Sequence, residues 1–208
     1  MKKFLLADDH VVVRSGIKLL LLEIFKPAEI YEAANGEDVL EKLNEHTFDL
    51  AFLDIQMPKT DTIGLMEIIH KQYPEQKVLI FSMRAEKIYA KRFLKAGAKG
   101  FVSKEAPLEE IIKAVNLVLS NKRYISDSLP DYLADESLST KTDNPFNRLS
   151  AREFEIASLL LTGVTISSIS KSIDIRVSTV GTHKTRLFDK LGVTNLLELK
   201  ELATSYNV

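Results

Sequence analysis

Five short apolar runs alternate with amphipathic segments over residues 1–119, and this alternation constrains the fold more than any other feature of the sequence. The segments between the runs repeat their apolar residues every three or four positions, the periodicity of a helix with one buried face. The runs are apolar at nearly every position, as expected for parallel strands covered on both faces. The sequence therefore predicts a doubly wound α/β domain with a five-stranded parallel sheet. The predicted strands are residues 4–7, 30–33, 50–53, 78–81 and 100–102.

The chain changes character after about residue 120. Residues 126–144 contain one Lys and no Arg against five Asp and Glu, with little apolar periodicity, which is typical of a linker. From residue 149 onward the apolar spacing is helical, with predicted helices at 150–161, 166–172, 177–191 and 195–204. We therefore predict a first domain over residues 1–120, a linker over 121–146 with a short helix near 129–133, and a smaller all-α domain over 147–208.

Composition excludes several classes of protein. The chain contains no cysteine, so disulfides, thiolate metal sites and cysteine nucleophiles are ruled out. The longest apolar run, residues 17–25, is interrupted by Lys18 and Glu23, and it is far shorter than the roughly 20 apolar residues of a membrane span. The N-terminal apolar stretch stops at Asp8, too soon for a secretion signal. We expect a cytoplasmic protein that has no membrane partner.

Polar side chains follow four of the five predicted strands. In chain order they are Asp8 and Asp9, Asp54, Ser82 and Lys104. Ligands of open α/β sheets bind beyond the carboxyl ends of the strands, so these side chains are expected to converge. Three crowded carboxylates repel unless a cation lies among them, and oxygen ligands favour Mg²⁺. A carboxylate can attack phosphorus, with a metal and a lysine neutralising the phosphoryl oxygens, so we predict an acyl-phosphate site with Asp54 as nucleophile.

Residues 1–120 resemble a response-regulator receiver domain, a flavodoxin-like fold. The resemblance rests on the paired acids after the first strand, Asp54-Ile-Gln-Met-Pro after the third, and the serine and lysine after the fourth and fifth. It implies that Asp54 accepts phosphate from a histidine kinase. It also implies that Mg²⁺ is held by Asp9, Asp54 and the backbone carbonyl of Gln56, with Asp8 contributing through water.

The same resemblance implies a switch pair, Ser82 and Phe101. In such a pair the serine hydroxyl moves to the phosphoryl group and the aromatic ring turns inward behind it. The aromatic residue of the family is often Tyr, so Phe101 keeps the ring without the hydroxyl. Two further departures are Glu105, which follows the lysine where Pro is frequent, and Thr62, which stands where Gly is common.

The all-α domain contains a short helix, a turn around residues 173–175 and a longer helix, the arrangement that places a recognition helix in the major groove of DNA. At 100° per residue, Val180, His183, Leu187 and Leu191 form the buried stripe of the longer helix. On the opposite face, hydroxyl groups, methyl groups and Arg186 would read bases. The flanking cations would meet phosphates; they are Lys171, Arg176, Lys184 and Lys190.

Residues 149–193 are similar to the LuxR-type helix-turn-helix of the NarL/FixJ regulators. The similarity lies in Leu-Ser-x-Arg-Glu at the start, Ser-Thr-Val at 178–180, and Lys-Leu-Gly-Val at 190–193. Gly181 stands where this family often has Lys or Arg, and residues 145–208 carry only eight Lys and Arg against six Asp and Glu. The DNA contacts that the resemblance implies are Ser178, Thr179, Gly181, Thr182, Lys184, Thr185, Arg186 and Lys190.

The sequence thus indicates a phosphorylation-dependent DNA-binding transcriptional regulator of a two-component system, not an enzyme. Its expected partners are a sensor histidine kinase, double-stranded DNA and, once phosphorylated, a second copy of the chain. One alternative is a Mg²⁺-dependent phosphohydrolase with Asp54 as nucleophile, although Gln56 occupies the position where one such family has Asp. Another is an interaction module that is never phosphorylated, which the loss of an acid or of Lys104 would favour; neither is lost.

Overall fold

The structure is a computed structural model that describes residues 1–84, 86–126, 144–173 and 175–206. The chain divides into two compact units, Met1–Ala134 and Asp135–Val208, which are described separately. The short helix predicted near residues 129–133 lies outside the described residues.

The first unit contains a five-stranded parallel sheet with the strand order β2-β1-β3-β4-β5, which confirms the predicted fold class. Ala7 of the first strand is in register with Leu53 of the third, and Ser82 of the fourth with Ser103 of the fifth. The residues that follow these strands therefore meet at one edge of the sheet. The strands are β1 (Lys2–Ala7), β2 (Ala28–Ala33), β3 (Leu50–Leu53), β4 (Val78–Ser82) and β5 (Gly100–Ser103).

Helices follow the strands and cover the sheet. They are α1 (Val11–Ile24), α2 (Gly36–Glu45), α3 (Thr62–Gln72), α4 (Glu86–Lys95) and α5 (Leu108–Leu119). The first and last of these share a core cluster with β1, while α2, α3 and α4 lie side by side. Right-handed crossovers in a sheet whose order reverses at β1 require this division between the two faces.

The core of the sheet lies in its three central strands. Leu5, Leu50 and Leu79 are fully buried, one on each of β1, β3 and β4. Helix α5 adds a stripe of four buried residues at three- and four-residue spacing: Ile111, Ala114, Val115 and Val118. Burying a leucine side chain contributes about 1.5–3 kcal/mol, so this apolar centre fixes the strand ends that carry the polar residues.

The chain returns to the edge of the sheet after α5, beyond the predicted domain boundary at residue 120. The N–H of Tyr124 donates to the carbonyl oxygen of Lys99 over 2.9 Å, and Tyr124 forms a parallel bridge with Gly100. The buried Tyr124 ring directs its hydroxyl to the carboxylate of Glu110 on α5. A residue outside the five predicted strands therefore belongs to the packed core.

We expect Gly100→Ala to destabilise the first unit by about 1–3 kcal/mol. The added Cβ would lie 2.9 Å from the carbonyl oxygen of Tyr124. Relief of this contact would require a shift of the backbone. Hydrogen exchange of β5 amides in the full chain measures the effect. Gly16→Ala is the control, because its Cβ would meet nothing within 4 Å and should not destabilise α1. Equal protection in Gly100→Ala and the wild type would contradict the close approach.

The second unit is helical over its described residues. A 3-10 turn at Pro145–Arg148, which the sequence did not predict, precedes the helices. A capping box begins the first helix, because Ser150 and Glu153 each accept the other's backbone N–H. Gly192 ends the longest helix in the left-handed conformation, with φ 67°. The helices are α6 (Ala151–Leu161), α7 (Ile166–Ser172), α8 (Val177–Leu191) and α9 (Leu196–Ser205).

Candidate functional site

Asp54 lies directly after β3 with its side chain buried and both carboxylate oxygens contacted by protein groups. The Ser82 hydroxyl donates to Oδ1 over 2.7 Å, and the Lys104 ammonium donates to Oδ2 over 2.8 Å. The backbone N–H of Asp54 donates to the carbonyl of Ala7 over 2.9 Å, which continues the sheet pairing one residue past the strand. Three strand ends thus meet at a single carboxylate, as the sequence predicts.

Asp8 and Asp9 lie beside Asp54, at the end of β1. One ligand atom from each of these acids and one from His10 all lie within 4.8 Å of one another. His10 Nδ1 is 2.9 Å from Asp9 Oδ1 and 3.2 Å from Asp8 Oδ1. The three acids lie together as predicted, whereas His10 was not predicted; its position directly after the pair of acids was the available signal.

Lys104 joins two of the acids. Its ammonium lies 2.6 Å from Asp8 Oδ2 and 2.8 Å from Asp54 Oδ2, and all three side chains are almost completely buried. Burial by itself would lower the pKa of Lys104, but the hydrogen bonds to Asp54 and Asp8 outweigh it and raise the pKa above its ordinary value. The lysine therefore carries its positive charge throughout the neutral range and offsets part of the negative charge of the site.

Threonine hydroxyls shape the loop between Asp54 and α3. Thr62 occupies the position where the resembling family often has Gly, and its buried hydroxyl donates to the carbonyl of Ile55 over 2.8 Å. Thr60 accepts the N–H of Gly36 and donates to the carbonyl of Pro58. The departure at residue 62 thus gives the loop an internal hydrogen bond. Gln56 is exposed in this loop, and the role of its carbonyl as a metal ligand stays a prediction.

Phe101 lies on β5 with its ring buried, in register with Ile80 of β4. It lines a pocket of about 230 Å³ with residues from α4, α5 and the segment after α5. Glu86 also lines this pocket and accepts a hydrogen bond from the Ser126 hydroxyl over 2.6 Å. Burial raises the pKa of Glu86 above its ordinary value, and the negative charge of Glu110 adds to this effect. The role of Ser82 and Phe101 as a switch pair stays a prediction.

The buried stripe of α8 agrees with the predicted one at Val180, Leu187 and Leu191. His183 is half-buried, and Phe188, which lies outside the predicted stripe, is buried instead. The opposite face of the helix is open over the residues that the structure describes. Its exposed members are Ser178, Thr179, Thr182, Thr185 and Arg186, with Gly181 partly exposed between them.

Lys190 is engaged within the second unit. Its ammonium donates to Oε2 of the buried Glu153 over 2.6 Å, and the same oxygen accepts the N–H of Ser150 over 2.7 Å. The pair ties the end of α8 to the start of α6. A phosphate contact by Lys190, as predicted from the sequence, would therefore compete with this ion pair.

We expect Glu153→Gln to destabilise the second unit by about 2 kcal/mol near neutral pH, the usual contribution of hydrogen bonds to a charged group. Burial by itself would raise the pKa of Glu153, but hydrogen bonds from Lys190 and Ser150 lower it below its ordinary value. The stabilisation is therefore complete above the ordinary carboxyl pKa and disappears as pH falls through the lowered value. Hydrogen exchange of α6 and α8 should show the difference shrinking in acid. Exposed Glu201→Gln is the control; a pH-independent difference would contradict the ion-pair origin.

We expect Gly181→Ala to stabilise the second unit by about 1 kcal/mol, because glycine inside a helix costs that much relative to alanine. The added Cβ would meet nothing within 4 Å, so no steric cost opposes the gain. Slower hydrogen exchange of α8 amides is the measurement. Faster exchange would show that the helix at this position is strained.

Two family descriptions match the chain. Residues 4–116 match the response regulator receiver domain, and residues 147–203 match the bacterial regulatory proteins of the luxR family. The two matches fall on the unit with the acidic site and the unit with α8, respectively. Over the described residues, no helix combines the length and apolar character needed to cross a membrane.

Relatives and solved structures match both units. Response regulator GacA of Pseudomonas aeruginosa is 33% identical, over 100% of this chain and 98% of GacA. Oxygen regulatory protein NreC of Staphylococcus epidermidis is 35% identical, over 97% of this chain and 96% of NreC. The structure of RcsB from Salmonella enterica serovar Typhimurium, bound to promoter rprA with the phosphomimetic BeF3⁻, superimposes with a TM-score of 0.68. The two sequences are 22% identical over 98% of each chain, so this similarity concerns the fold.

Proposed function

The chain belongs to the response regulators with a LuxR-type DNA-binding domain, and on that premise we propose that Asp54 accepts a phosphoryl group and thereby controls DNA binding by α8. The observation that supports this most is the arrangement around Asp54. A buried carboxylate is contacted by one hydroxyl and one ammonium group, with two further acids at its side. The phosphoryl donor is a sensor histidine kinase.

The transfer forms one bond and breaks one. A carboxylate oxygen of Asp54 attacks the phosphorus of a phosphohistidine, and the phosphorus–nitrogen bond breaks as the electron pair returns to the imidazole of the kinase. The product is an acyl phosphate on Asp54. Lys104 and Ser82 contact Asp54 directly, and in the proposed reaction they move onto the phosphoryl oxygens, where their hydrogen bonds stabilise the added negative charge.

The residues beside Asp54 fit a bound Mg²⁺. Asp8, Asp9 and Asp54 supply carboxylate oxygens at mutually close positions, and such hard oxygen ligands are those that Mg²⁺ prefers. We assign Asp9, Asp54 and the backbone carbonyl of Gln56 as ligands, with Asp8 acting through water. When bound, Mg²⁺ neutralises charge on the phosphoryl oxygens. The ammonium of Lys104 already neutralises charge between Asp8 and Asp54.

Phosphorylation changes the receiver through Ser82 and Phe101. The Ser82 hydroxyl leaves Asp54 Oδ1 for a phosphoryl oxygen, and the Phe101 ring follows into the space behind it. Residues lining the adjacent pocket, among them Glu86 and Tyr124, sense this change. The active receiver favours a homodimer, and two linked copies of α8 bind a repeated DNA site more tightly through effective concentration.

The phosphohydrolase alternative gains no support from the family matches or the relatives. Asp54 itself has Gln56 two residues on, where one such enzyme family has an acid. A small acyl phosphate, supplied with Mg²⁺, distinguishes the two functions. The regulator takes up one phosphoryl group per chain, whereas an enzyme turns the donor over continuously.

The test of the proposed function combines labelling with DNA binding in the full chain. We expect stoichiometric phosphate on Asp54 and at least about tenfold tighter binding of the chain's own upstream DNA when the protein is phosphorylated, because dimers bind through two domains. Equal affinity with and without phosphate would remove the switch. Labelling without any DNA affinity would remove the transcriptional role.

A further inference from the structure

Two threonines on the outward face of α8 already use their hydroxyl hydrogens. Thr182 Oγ1 donates to the carbonyl of Ser178 over 3.0 Å, and Thr185 Oγ1 donates to the carbonyl of Gly181 over 3.2 Å. Each hydroxyl has a single hydrogen. Neither hydroxyl can donate to an acceptor on a base edge without giving up its bond to the helix. Recognition of bases by hydrogen bonds from these two hydroxyls, as the sequence suggested, is therefore disfavoured.

Apolar groups lie beside these two hydroxyls on the same part of α8. The methyl group of a threonine shares Cβ with the hydroxyl, and β-branched side chains are stiff in a helix, so fixing the hydroxyl also fixes the methyl. Val177, at the start of the helix, is 50% exposed. Gly181 adds no side chain, and the space beside it is open to at least 4 Å. The helix thus offers methyl groups around an open stretch of backbone.

We propose that α8 recognises the C5-methyl groups of thymines in the major groove of duplex DNA, through the methyl groups of Thr182 and Thr185 and the side chain of Val177. This inference rests on the proposed DNA-binding role of α8. The thymine methyl is the apolar group that base pairs present in the major groove, and threonine methyls are among its protein partners. Gly181 lets the helix backbone approach the base edges closely.

The charges around these apolar groups favour duplex DNA as the occupant. Arg176 is exposed directly before the helix, Lys171 is exposed on α7, and Arg186 is exposed about two and a half turns after the start of α8. Lys184 lies with its ammonium 5.2 Å from the centre of the Phe188 ring, on the flank of the same face. Cations flanking an apolar strip match phosphate strands on either side of a groove.

The first test exchanges thymine for uracil. Duplexes are selected from a random library with the full-length protein, and the selected duplex is then made again with deoxyuridine in place of every thymidine. We expect binding to weaken about fourfold for each contacted thymine, and about tenfold or more where two are contacted. One buried methyl group contributes about 0.8 kcal/mol, which corresponds to this factor.

The second test separates methyl from hydroxyl. Thr182→Val and Thr185→Val keep a methyl group and lose the hydroxyl, while Thr182→Ser and Thr185→Ser keep the hydroxyl and lose the methyl. We expect the valine variants to retain the preference for thymine over uracil, and the serine variants to lose about fourfold of it. Thr204→Ser is the matched control, because Thr204 on α9 donates to the Lys200 carbonyl in the same way over 2.9 Å.

Each outcome decides between stated alternatives. Equal binding of the thymine and uracil duplexes overturns methyl recognition and leaves the DNA-binding role intact. If the valine variants lose the preference for thymine over uracil and the serine variants keep it, methyl recognition is overturned and the hydroxyl groups recognise the bases. If selection enriches no duplex, the proposed function itself fails. Thermal unfolding of every variant confirms that the compared proteins are folded.

Discussion

Replacing Asp54 by Asn is expected to reduce phosphate incorporation from one group per chain to background, with phosphodonor and Mg²⁺ present. The amide has nearly the same shape as the carboxylate and can still accept the Ser82 hydrogen bond of 2.7 Å, so the fold should persist. It has no anionic oxygen to attack phosphorus, so the covalent step is lost. Intact-mass measurement of the protein after incubation reads the result directly.

The control for this variant is Asp49→Asn. Asp49 lies directly before β3, and Asp54 lies directly after it. The carboxylate of Asp49 accepts hydrogen bonds from the Lys2 ammonium and the Lys3 N–H, each over 2.8 Å. It lies at the other end of the strand from the acidic site, so this variant should be labelled like the wild type. Persistent labelling of Asp54→Asn would place the phosphoacceptor elsewhere and contradict the proposed function.

Replacing Lys104 by Met is expected to destabilise the first unit by about 3 kcal/mol in the absence of divalent cations. The ammonium lies between Asp8 and Asp54, both buried, and its removal leaves two carboxylates without a compensating charge. Breaking a buried pair by removing one partner typically costs about 3–5 kcal/mol, and the exposure of neighbouring Asp9 to water favours the lower end. Urea unfolding monitored by hydrogen exchange measures the loss.

Adding Mg²⁺ should restore more stability to Lys104→Met than to the wild type, because the cation then has no lysine to compete with for the same oxygens. Exposed Lys95→Met on α4 is the control and should change stability by less than about 0.5 kcal/mol. A variant that is as stable as the wild type without Mg²⁺ would show that the two acids do not depend on the lysine.

The strands were predictable because their apolar runs are continuous, and the site was predictable because parallel strands bring their ends to one edge. The observed strands extend the predicted ones by two residues at most at either end. Asp54, Ser82 and Lys104 are separated by many residues in the chain, yet Asp54 and Ser82 directly follow apolar runs and Lys104 follows one after a single serine. The parallel sheet therefore brings residues that are distant in the chain together at one edge.

The contacts that the sequence did not reveal depend on three-dimensional proximity without a periodic signal. Tyr124 follows a helix and precedes a polar segment, and nothing in its neighbours marks it as a partner of β5. Lys190 carries the same charge whether it faces DNA or Glu153, so only the structure shows the ion pair. Phe188 was not predicted to be buried because it lies beside the predicted stripe of α8, and the buried face of the helix is wider than that stripe.

The pairing of Tyr124 with Gly100 has a practical consequence for preparing the receiver alone. A fragment that stops at residue 120 would lose the buried Tyr124 ring and the hydrogen bond from the Tyr124 backbone N–H to the Lys99 carbonyl, and would leave a cavity against β5. Truncating a buried aromatic side chain costs about 3–5 kcal/mol, a large share of the stability of a small domain. An excised receiver should therefore extend at least to Ser126, where the hydroxyl still reaches Glu86.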